Sequence, residues 1–153
     1  MAKIVLIYAS MSGNTEMMAE AVADGIKEAG EEVEAIDIMN GVFAKDLLNY
    51  DGIILGSYTW GDGELPDDYL DFYEELEGVD LSGKKAAVFG SGDTGYNSFC
   101  AAVDILMEKL KERGADVYAA EIKVDLTPSE ADEDECRTLG KNFVTFLNGN
   151  RVK

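Results

Sequence analysis

The chain contains no histidine, and this absence excludes several classes of function. Histidine is the usual general base of a nucleophilic triad and the commonest metal ligand in proteins. The two cysteines, Cys100 and Cys136, lie far apart and do not form a metal-ligand spacing. We therefore expect no metal site, no catalytic triad, and two reduced thiols in a cytosolic protein.

Basic residues are also scarce. The chain has 13 lysines and arginines against 31 aspartates and glutamates, which leaves a formal net charge of -18. Nucleic acid and anionic membrane surfaces would repel such a protein, so we expect no binding to either and macromolecular partners that are basic at the contact. The alternative is that the acidity only maintains solubility.

Long apolar segments are missing, and proline occurs only twice. No apolar run approaches the length that spans a membrane. With 153 residues, of which 46% are hydrophobic, the chain has the size of one domain with a substantial core. We expect a single domain over residues 1–153 that is a soluble, cytoplasmic monomer.

What is present is an alternation of strand and helix patterns. The run 3–8 is rich in Ile, Val and Leu without polar alternation, as in a strand that is covered on both faces in a parallel sheet. Further strands are predicted at 33–38, 52–58, 84–89 and 117–124, and helices at 14–29, 44–50, 66–77, 98–113 and 129–147. This order favours a three-layer α/β fold, with helices on both faces of a parallel sheet.

A small hydroxyl-rich loop separates the first strand from the first helix. Residues 8–16 read Tyr-Ala-Ser-Met-Ser-Gly-Asn-Thr-Glu and include no lysine or arginine. A Walker loop would carry a lysine beside the phosphates. Hydroxyls, backbone N–H groups and the helix N-terminus are therefore predicted to hold a phosphomonoester. The alternative is an ordinary helix cap, in which Ser12 or Asn14 satisfies free N–H groups.

Two further loops follow the third and fourth predicted strands, and the loops after parallel strands meet at one edge of the sheet. Loop 59–65 contains Trp60, the only tryptophan, and loop 90–100 contains Tyr96 among glycines. Two aromatic residues on neighbouring loops can sandwich a planar ring system. The alternative, for each aromatic taken singly, is an ordinary and partly buried side chain.

Together these loops resemble those of the flavodoxins, of the short-chain kind. The family pattern of hydroxyl, any residue, hydroxyl, Gly-Asn-Thr is present at residues 10–15, and no inserted loop is expected in the fifth strand. The resemblance covers essentially the whole chain and implies a five-stranded parallel sheet in the order 2-1-3-4-5 that binds FMN. The residues that it assigns to FMN are Ser10, Met11, Ser12, Gly13, Asn14, Thr15, Thr59, Trp60, Gly61, Asp62, Ser91, Gly92, Asp93, Tyr96, Asn97, Ser98 and Cys100.

Within that set the resemblance implies separate tasks. Trp60 and Tyr96 would flank the isoalloxazine ring, while Thr59 and the first loop would hold the ribityl phosphate. Gly61 would let the peptide before Asp62 turn its carbonyl toward flavin N5 when N5 carries a proton. Acidic residues around the ring would oppose the charge of the fully reduced flavin and so lower its potential. They are Asp62, Glu64, Asp67, Asp68 and Asp93.

The implied function is that of a low-potential one-electron carrier rather than an enzyme. It would shuttle FMN between semiquinone and hydroquinone and pass electrons between redox proteins. The expected partners have basic surfaces: a flavin or iron-sulfur reductase as donor and a reductive enzyme as acceptor. The alternative is an FMN-dependent NAD(P)H-quinone reductase on the same fold, which would need room for a second substrate over the ring.

Overall fold

Strands and helices alternate along the chain in the computed structural model, which describes residues 3–9, 13–58, 66–92, 101–118, 122–125 and 128–149. The strands are β1 (Ile4–Tyr8), β2 (Val33–Asp37), β3 (Gly52–Tyr58), β4 (Lys85–Gly92), β5 (Asp116–Val117) and β6 (Ile122–Asp125). The α-helices are α1 (Asn14–Glu28), α2 (Asp67–Glu75), α3 (Ala101–Glu112) and α4 (Glu130–Leu147). Short 3-10 helices lie at Ile38–Asn40, Ala44–Asn49 and Leu76–Gly78.

The described strands form one parallel sheet. Their order is β2-β1-β3-β4-β5, and β6 also pairs with β4. This arrangement confirms the predicted order 2-1-3-4-5. Because all strands run in the same direction, the connections that follow β1, β3 and β4 leave from the same edge of the sheet.

The predicted fifth strand, 117–124, is divided into the two segments β5 and β6. Val117 pairs with Ala86, and Ile122 pairs with Phe89. Between these two pairs, β4 advances by three residues, from Ala86 to Phe89, while the edge strand advances by five, from Val117 to Ile122. An excess of two residues is tolerated at a sheet edge, where only one neighbouring strand constrains the register. The predicted edge position is confirmed, but the prediction of one continuous strand is wrong.

The sheet buries both faces, which explains the apolar run at the start of the chain. Val5 and Ile7 pack into a core with α2, α3 and the 3-10 helix Ala44–Asn49. Ile4 and Leu6 point the other way and pack into a second core with α1 and α4. The three predicted layers are therefore confirmed.

Helices α1 and α4 pack against each other through glycine. A Cβ atom at Gly25 of α1 would lie 2.0 Å from the carbonyl oxygen of Arg137 in α4. No side chain fits at that distance, so the two backbones approach more closely than larger residues would permit. This contact helps to fix the position of α1, the helix that follows the hydroxyl-rich loop.

Strand β4 continues three residues beyond its predicted end at residue 89. The sequence assigns Gly90, Ser91 and Gly92 to a loop, but Gly90 pairs with Ser57 and Ser91 pairs with Tyr58 on β3. Glycine and serine have low strand propensity, which is why the local pattern ends early. Pairing with β3 on one side and β6 on the other stabilises the extension.

The predicted helices are confirmed with smaller adjustments. The segment predicted at 44–50 is a 3-10 helix, and the one predicted at 66–77 is α2 followed by the 3-10 turn Leu76–Gly78. The last helix begins after Ser129, whose hydroxyl accepts a hydrogen bond from the Asp132 N–H. Among the helices in the described part of the chain, none combines the length and the hydropathy of a membrane-spanning segment.

Candidate functional site

The start of α1 lies at the carboxyl edge of the sheet. The N-cap residue is Gly13, with φ of 89°, and its carbonyl accepts the first intrahelical hydrogen bond from the Met17 N–H at 3.0 Å. This φ angle lies in the left-handed region, which favours glycine because residues with a Cβ are strained there. Gly13 is the N-cap residue and Asn14 is the first helical residue, so the alternative of Asn14 as the cap is wrong, while Ser12 lies outside the described residues. Because glycine has no side chain, the N-cap residue itself supplies no capping oxygen to the first N–H groups of α1.

Two buried hydroxyl groups join this helix to β4. Thr15 Oγ1 lies 2.8 Å from Ser91 Oγ, and the two side chains are 1% and 4% exposed. The two residues are 76 positions apart in the sequence. The contact therefore links the hydroxyl-rich loop to the strand that leads into the predicted ring-binding loop.

A third buried hydroxyl lies on the neighbouring strand. Ser57 is fully buried, and its Oγ donates to the carbonyl oxygen of Tyr58 at 2.7 Å. Its bond is local to β3, in contrast to the contact between Thr15 and Ser91. The sequence analysis did not single out Ser57, although a polar residue near the end of an apolar strand is a usable signal for an edge site.

An acidic residue in the first turn of α1 has its own partner. Tyr8, at the end of β1, donates its hydroxyl hydrogen to Glu16 Oε2 at 3.3 Å. Burial, and then the charge and hydrogen bond of Glu16, raise the pKa of Tyr8. The Glu16 carboxylate is thus directed toward a phenol that stays protonated, and the phenol partly offsets the repulsion that a bound anion would experience.

Helix α2, which follows the predicted tryptophan loop, is hydrogen-bonded to strand β1. Tyr69 is fully buried, and its hydroxyl donates to the carbonyl oxygen of Ile7 at 2.9 Å. Burial raises the pKa of Tyr69, so the phenol remains a donor. The sequence places Tyr69 in the helix predicted at 66–77 but does not indicate this bond.

The described structure includes five of the predicted FMN-binding residues. Gly13, Asn14 and Thr15 open α1, and Ser91 and Gly92 end β4. Thr15 and Ser91 are brought into direct contact. The other predicted residues lie outside the described ranges, and their roles stay predictions: Ser10, Met11, Ser12, Thr59, Trp60, Gly61, Asp62, Asp93, Tyr96, Asn97, Ser98 and Cys100.

The remaining chemistry of the described residues is limited. Cys136 is a free, buried cysteine, and burial together with nearby acidic residues raises the pKa of its thiol to about 12. Within the described ranges, no group of three or more His, Cys, Asp or Glu residues is arranged to hold a metal ion. Cys100 lies outside those ranges.

Comparison with known proteins agrees with the fold and with the motif. The family model described as Flavodoxin matches residues 6–140. A probable flavodoxin 2 from Bacillus subtilis is 49% identical over 143 residues, which cover 94% of this chain and 95% of that protein. Oxidised flavodoxin 1 from Bacillus cereus superposes with a TM-score of 0.92 at 56% identity, covering 94% of this chain and 98% of that one.

A more distant structure shares the fold alone. It is a Fusobacterium nucleatum flavodoxin mutant bound to flavin mononucleotide, with a TM-score of 0.74 and 20% identity over 97% of this chain and 96% of that one. The similarity to the two Bacillus proteins extends over nearly the full length of this chain and of each of those proteins. The family match includes the motif at residues 10–15 and all described strands except the first two residues of β1. The chain belongs to the flavodoxin family.

Proposed function

We propose that this chain is a low-potential one-electron carrier that binds FMN non-covalently and cycles it between semiquinone and hydroquinone. Membership of the flavodoxin family supports FMN as the cofactor and electron transfer as the activity. The single observation that carries the proposal is the contact between Thr15 and Ser91. It joins the two parts of the sheet edge to which the sequence assigns the phosphate and the flavin ring.

The described end of the hydroxyl-rich loop fits a phosphate dianion without a bound cation. The N-cap residue Gly13 has no side chain with which to cap α1, and the first N–H groups of a helix attract negative charge. Thr15 adds a hydroxyl at the second helical position. Residues 8–16 contain no lysine or arginine, so these neutral donors would hold the phosphate. Each charge-assisted hydrogen bond contributes about 1.5 to 3 kcal/mol.

FMN supplies the one-electron chemistry when it is bound, and the chain sets its redox potentials and shields the ring from water. Trp60 and Tyr96 are predicted to cover the two faces of the ring and to exclude water. Gly61 is predicted to let a backbone carbonyl accept a hydrogen bond from the N–H group at flavin N5, and such a bond contributes about 1 kcal/mol. Asp67, the first residue of α2, is one of the acidic residues predicted to lower the potential. At an effective dielectric near 20 and a separation of about 15 Å, each carboxylate would contribute about 1 kcal/mol.

The proposed partners are redox proteins that are basic at the contact. The net charge of -18 includes Glu130, Asp132 and Glu133 in the first turn of α4. Electrostatic attraction between this acidic chain and a basic partner would accelerate their association, and it would weaken as salt screens the charges. We propose a flavin or iron-sulfur reductase as donor and a reductive enzyme as acceptor, with the chain acting as a single-domain, cytoplasmic, monomeric carrier rather than as an enzyme.

The decisive experiment is a stepwise reductive titration of the purified protein, with chromatography of the released flavin. We expect FMN, accumulation of the neutral semiquinone at half reduction, and a second step at low potential. A flavin other than FMN, or direct two-electron reduction, would contradict the proposal. Steady oxidation of NADPH by the pure protein would instead favour the reductase alternative.

Two sets of variants test the predicted ring contacts. Replacing Gly61 with valine should lower semiquinone accumulation selectively, because a β-branched residue resists a positive φ angle. Unchanged semiquinone accumulation would contradict the predicted hydrogen bond between this peptide and flavin N5. Trp60→Ala and Tyr96→Ala should both weaken FMN binding, measured by the fluorescence of released flavin, and tight binding in both variants would exclude the sandwich.

A further inference from the structure

The contact between Thr15 and Ser91 is unusual for its burial and for the elements that it joins. Thr15 lies at the start of a helix and Ser91 near the end of a strand, and both side chains are almost completely removed from solvent. Neither hydroxyl is needed for the hydrogen-bond ladder of its own element. A buried hydroxyl that loses its partner is destabilising, so each of these groups depends on the other.

The direction of this hydrogen bond is open in the protein alone, because either oxygen can donate. A bound phosphate dianion would remove that freedom. Phosphate oxygens only accept, and a hydroxyl has one hydrogen to donate. If Thr15 donates to the phosphate, then Ser91 must donate to Thr15.

We propose that Ser91 is a positioning residue for the phosphate of FMN and acts through Thr15. The proposal rests on the proposed function, and it gives Ser91 a task different from direct contact with the flavin ring. By donating to Thr15 Oγ1, Ser91 directs the Thr15 hydrogen toward the start of α1. A chain of two hydroxyls also polarises the terminal donor and strengthens its bond to an anion.

Of the two residues in this contact, Ser91 has the more firmly held backbone, because it lies in strand β4. Ser91 pairs in register with Tyr58 of β3 and with Val124 of β6, so its backbone is held by strands on both sides. Threonine in a helix, by contrast, divides between two side-chain rotamers. The hydrogen bond from Ser91 selects the rotamer of Thr15 before the ligand arrives, which lowers the entropy cost of binding.

The test compares two ligands that differ only in the phosphate. The apoprotein and its variants are titrated with FMN and with riboflavin, and the ratio of the two affinities is measured. Ser91→Ala should weaken FMN binding by about tenfold, the loss expected for one hydrogen bond to a charged system, and leave riboflavin binding unchanged. Equal weakening of both ligands, or no change in either, would overturn the proposal.

Ser57→Ala is the matched control. It removes a buried serine hydroxyl from the adjacent strand, but that hydroxyl bonds to Tyr58 rather than to α1. The ratio of FMN to riboflavin affinity should stay at the wild-type value. A fall as large as that in Ser91→Ala would show that loss of any buried hydroxyl near this edge is sufficient, and would overturn the proposal.

A double-mutant cycle tests whether Ser91 acts through Thr15. Thr15→Val removes the hydroxyl and keeps a similar shape, so it should also lower the affinity ratio. In that background Ser91→Ala should have no further effect on the ratio. Independent, additive losses would contradict the proposal. Circular dichroism of each apoprotein establishes that the variants are folded.

The wild-type protein separates this inference from the proposed function. Absence of FMN binding, or equal affinity for FMN and riboflavin, would contradict the proposed FMN carrier or its phosphate site. A strong wild-type preference for FMN that Ser91→Ala leaves intact would contradict only the positioning role of Ser91.

Discussion

Gly140 of α4 lies directly against the backbone of Val22 in α1. A Cβ atom at Gly140 would lie 2.2 Å from the Val22 carbonyl oxygen and 2.9 Å from the Ile26 nitrogen. Both neighbours are helix backbone and cannot rotate away as a flexible side chain can. The contact therefore fixes the distance between the helix at the proposed phosphate site and the last helix of the chain.

Gly140→Ala should lower the free energy of unfolding by about 1 to 3 kcal/mol, since overpacking a helix contact forces the backbones apart. Chemical denaturation monitored by circular dichroism measures the change. Gly78→Ala is the control, because Gly78 has no positive φ angle and a Cβ there would meet nothing within 4 Å. Equal stability of the Gly140→Ala protein and the wild type would contradict the close contact.

Tyr69→Phe should lower the free energy of unfolding by about 1 kcal/mol, because it removes one buried hydrogen bond to the Ile7 carbonyl and keeps the ring. Tyr118→Phe provides the comparison. Tyr118 is partly exposed, packs its ring against Phe146, and has no hydroxyl partner among the described residues. A loss of stability in Tyr118→Phe as large as that in Tyr69→Phe would assign the effect to something other than this bond.

The ion pair between Glu77 and Lys109 should make stability depend on pH. The Lys109 ammonium hydrogen-bonds to Glu77 and holds the pKa of that carboxyl below its usual range. A carboxyl with a lowered pKa in the folded state stabilises the protein above its unfolded pKa of about 4.3. This stabilisation is lost as the pH falls through the folded pKa.

Glu77→Gln should therefore be less stable than the wild type at pH 7, and the difference should shrink as the pH is lowered below about 4. Urea denaturation at a series of pH values measures it. Glu74→Gln is the control, since Glu74 has no ionic partner within the described residues. A difference between wild type and Glu77→Gln that does not change with pH would exclude the ion pair as its source.

Cys136 should resist alkylation in the folded protein. Its thiol is fully buried, and burial raises its pKa to about 12, so almost no reactive thiolate exists at pH 8. In the unfolded chain the pKa returns to about 8.5 and the thiol reacts. Iodoacetamide labelling across a denaturant series, with peptide mapping to distinguish Cys136 from Cys100, should follow the unfolding transition. Rapid labelling of Cys136 without denaturant would contradict its burial.

Much of the fold could be predicted because its signals are local. The apolar run at 3–8 predicts a strand covered on both faces, and both cores receive its side chains. The helical spacing of Val103, Leu106 and Leu110 predicts the buried face of α3, and all three residues are fully buried. The end of β4 and the break in the edge strand are harder to predict from the sequence. Residues 90–92 and the edge strand adopt extended structure because they pair with neighbouring strands, and not because of their own strand propensity.

In the candidate site, too, some features are predictable from the local sequence and others are not. The residue types at positions 10–15 indicate an anion site by themselves, because glycine, hydroxyls and a following helix suffice for the prediction. They do not indicate that Gly13 rather than Asn14 is the cap residue, which depends on backbone angles. The ring contacts of Trp60 and Tyr96 and the peptide of Gly61 stay predictions.

The sequence by itself determined the order of strands and helices, the acidic character, the absence of histidine chemistry and the motif that indicates a phosphate. These features depend on residues that are close along the chain or on composition alone. Only the tertiary structure decided that Thr15 meets Ser91, that Tyr69 reaches Ile7, and that α1 and α4 touch at glycines. The first two pairs are 76 and 62 residues apart, and the distance between such residues is set by the packing of the whole sheet with its helices.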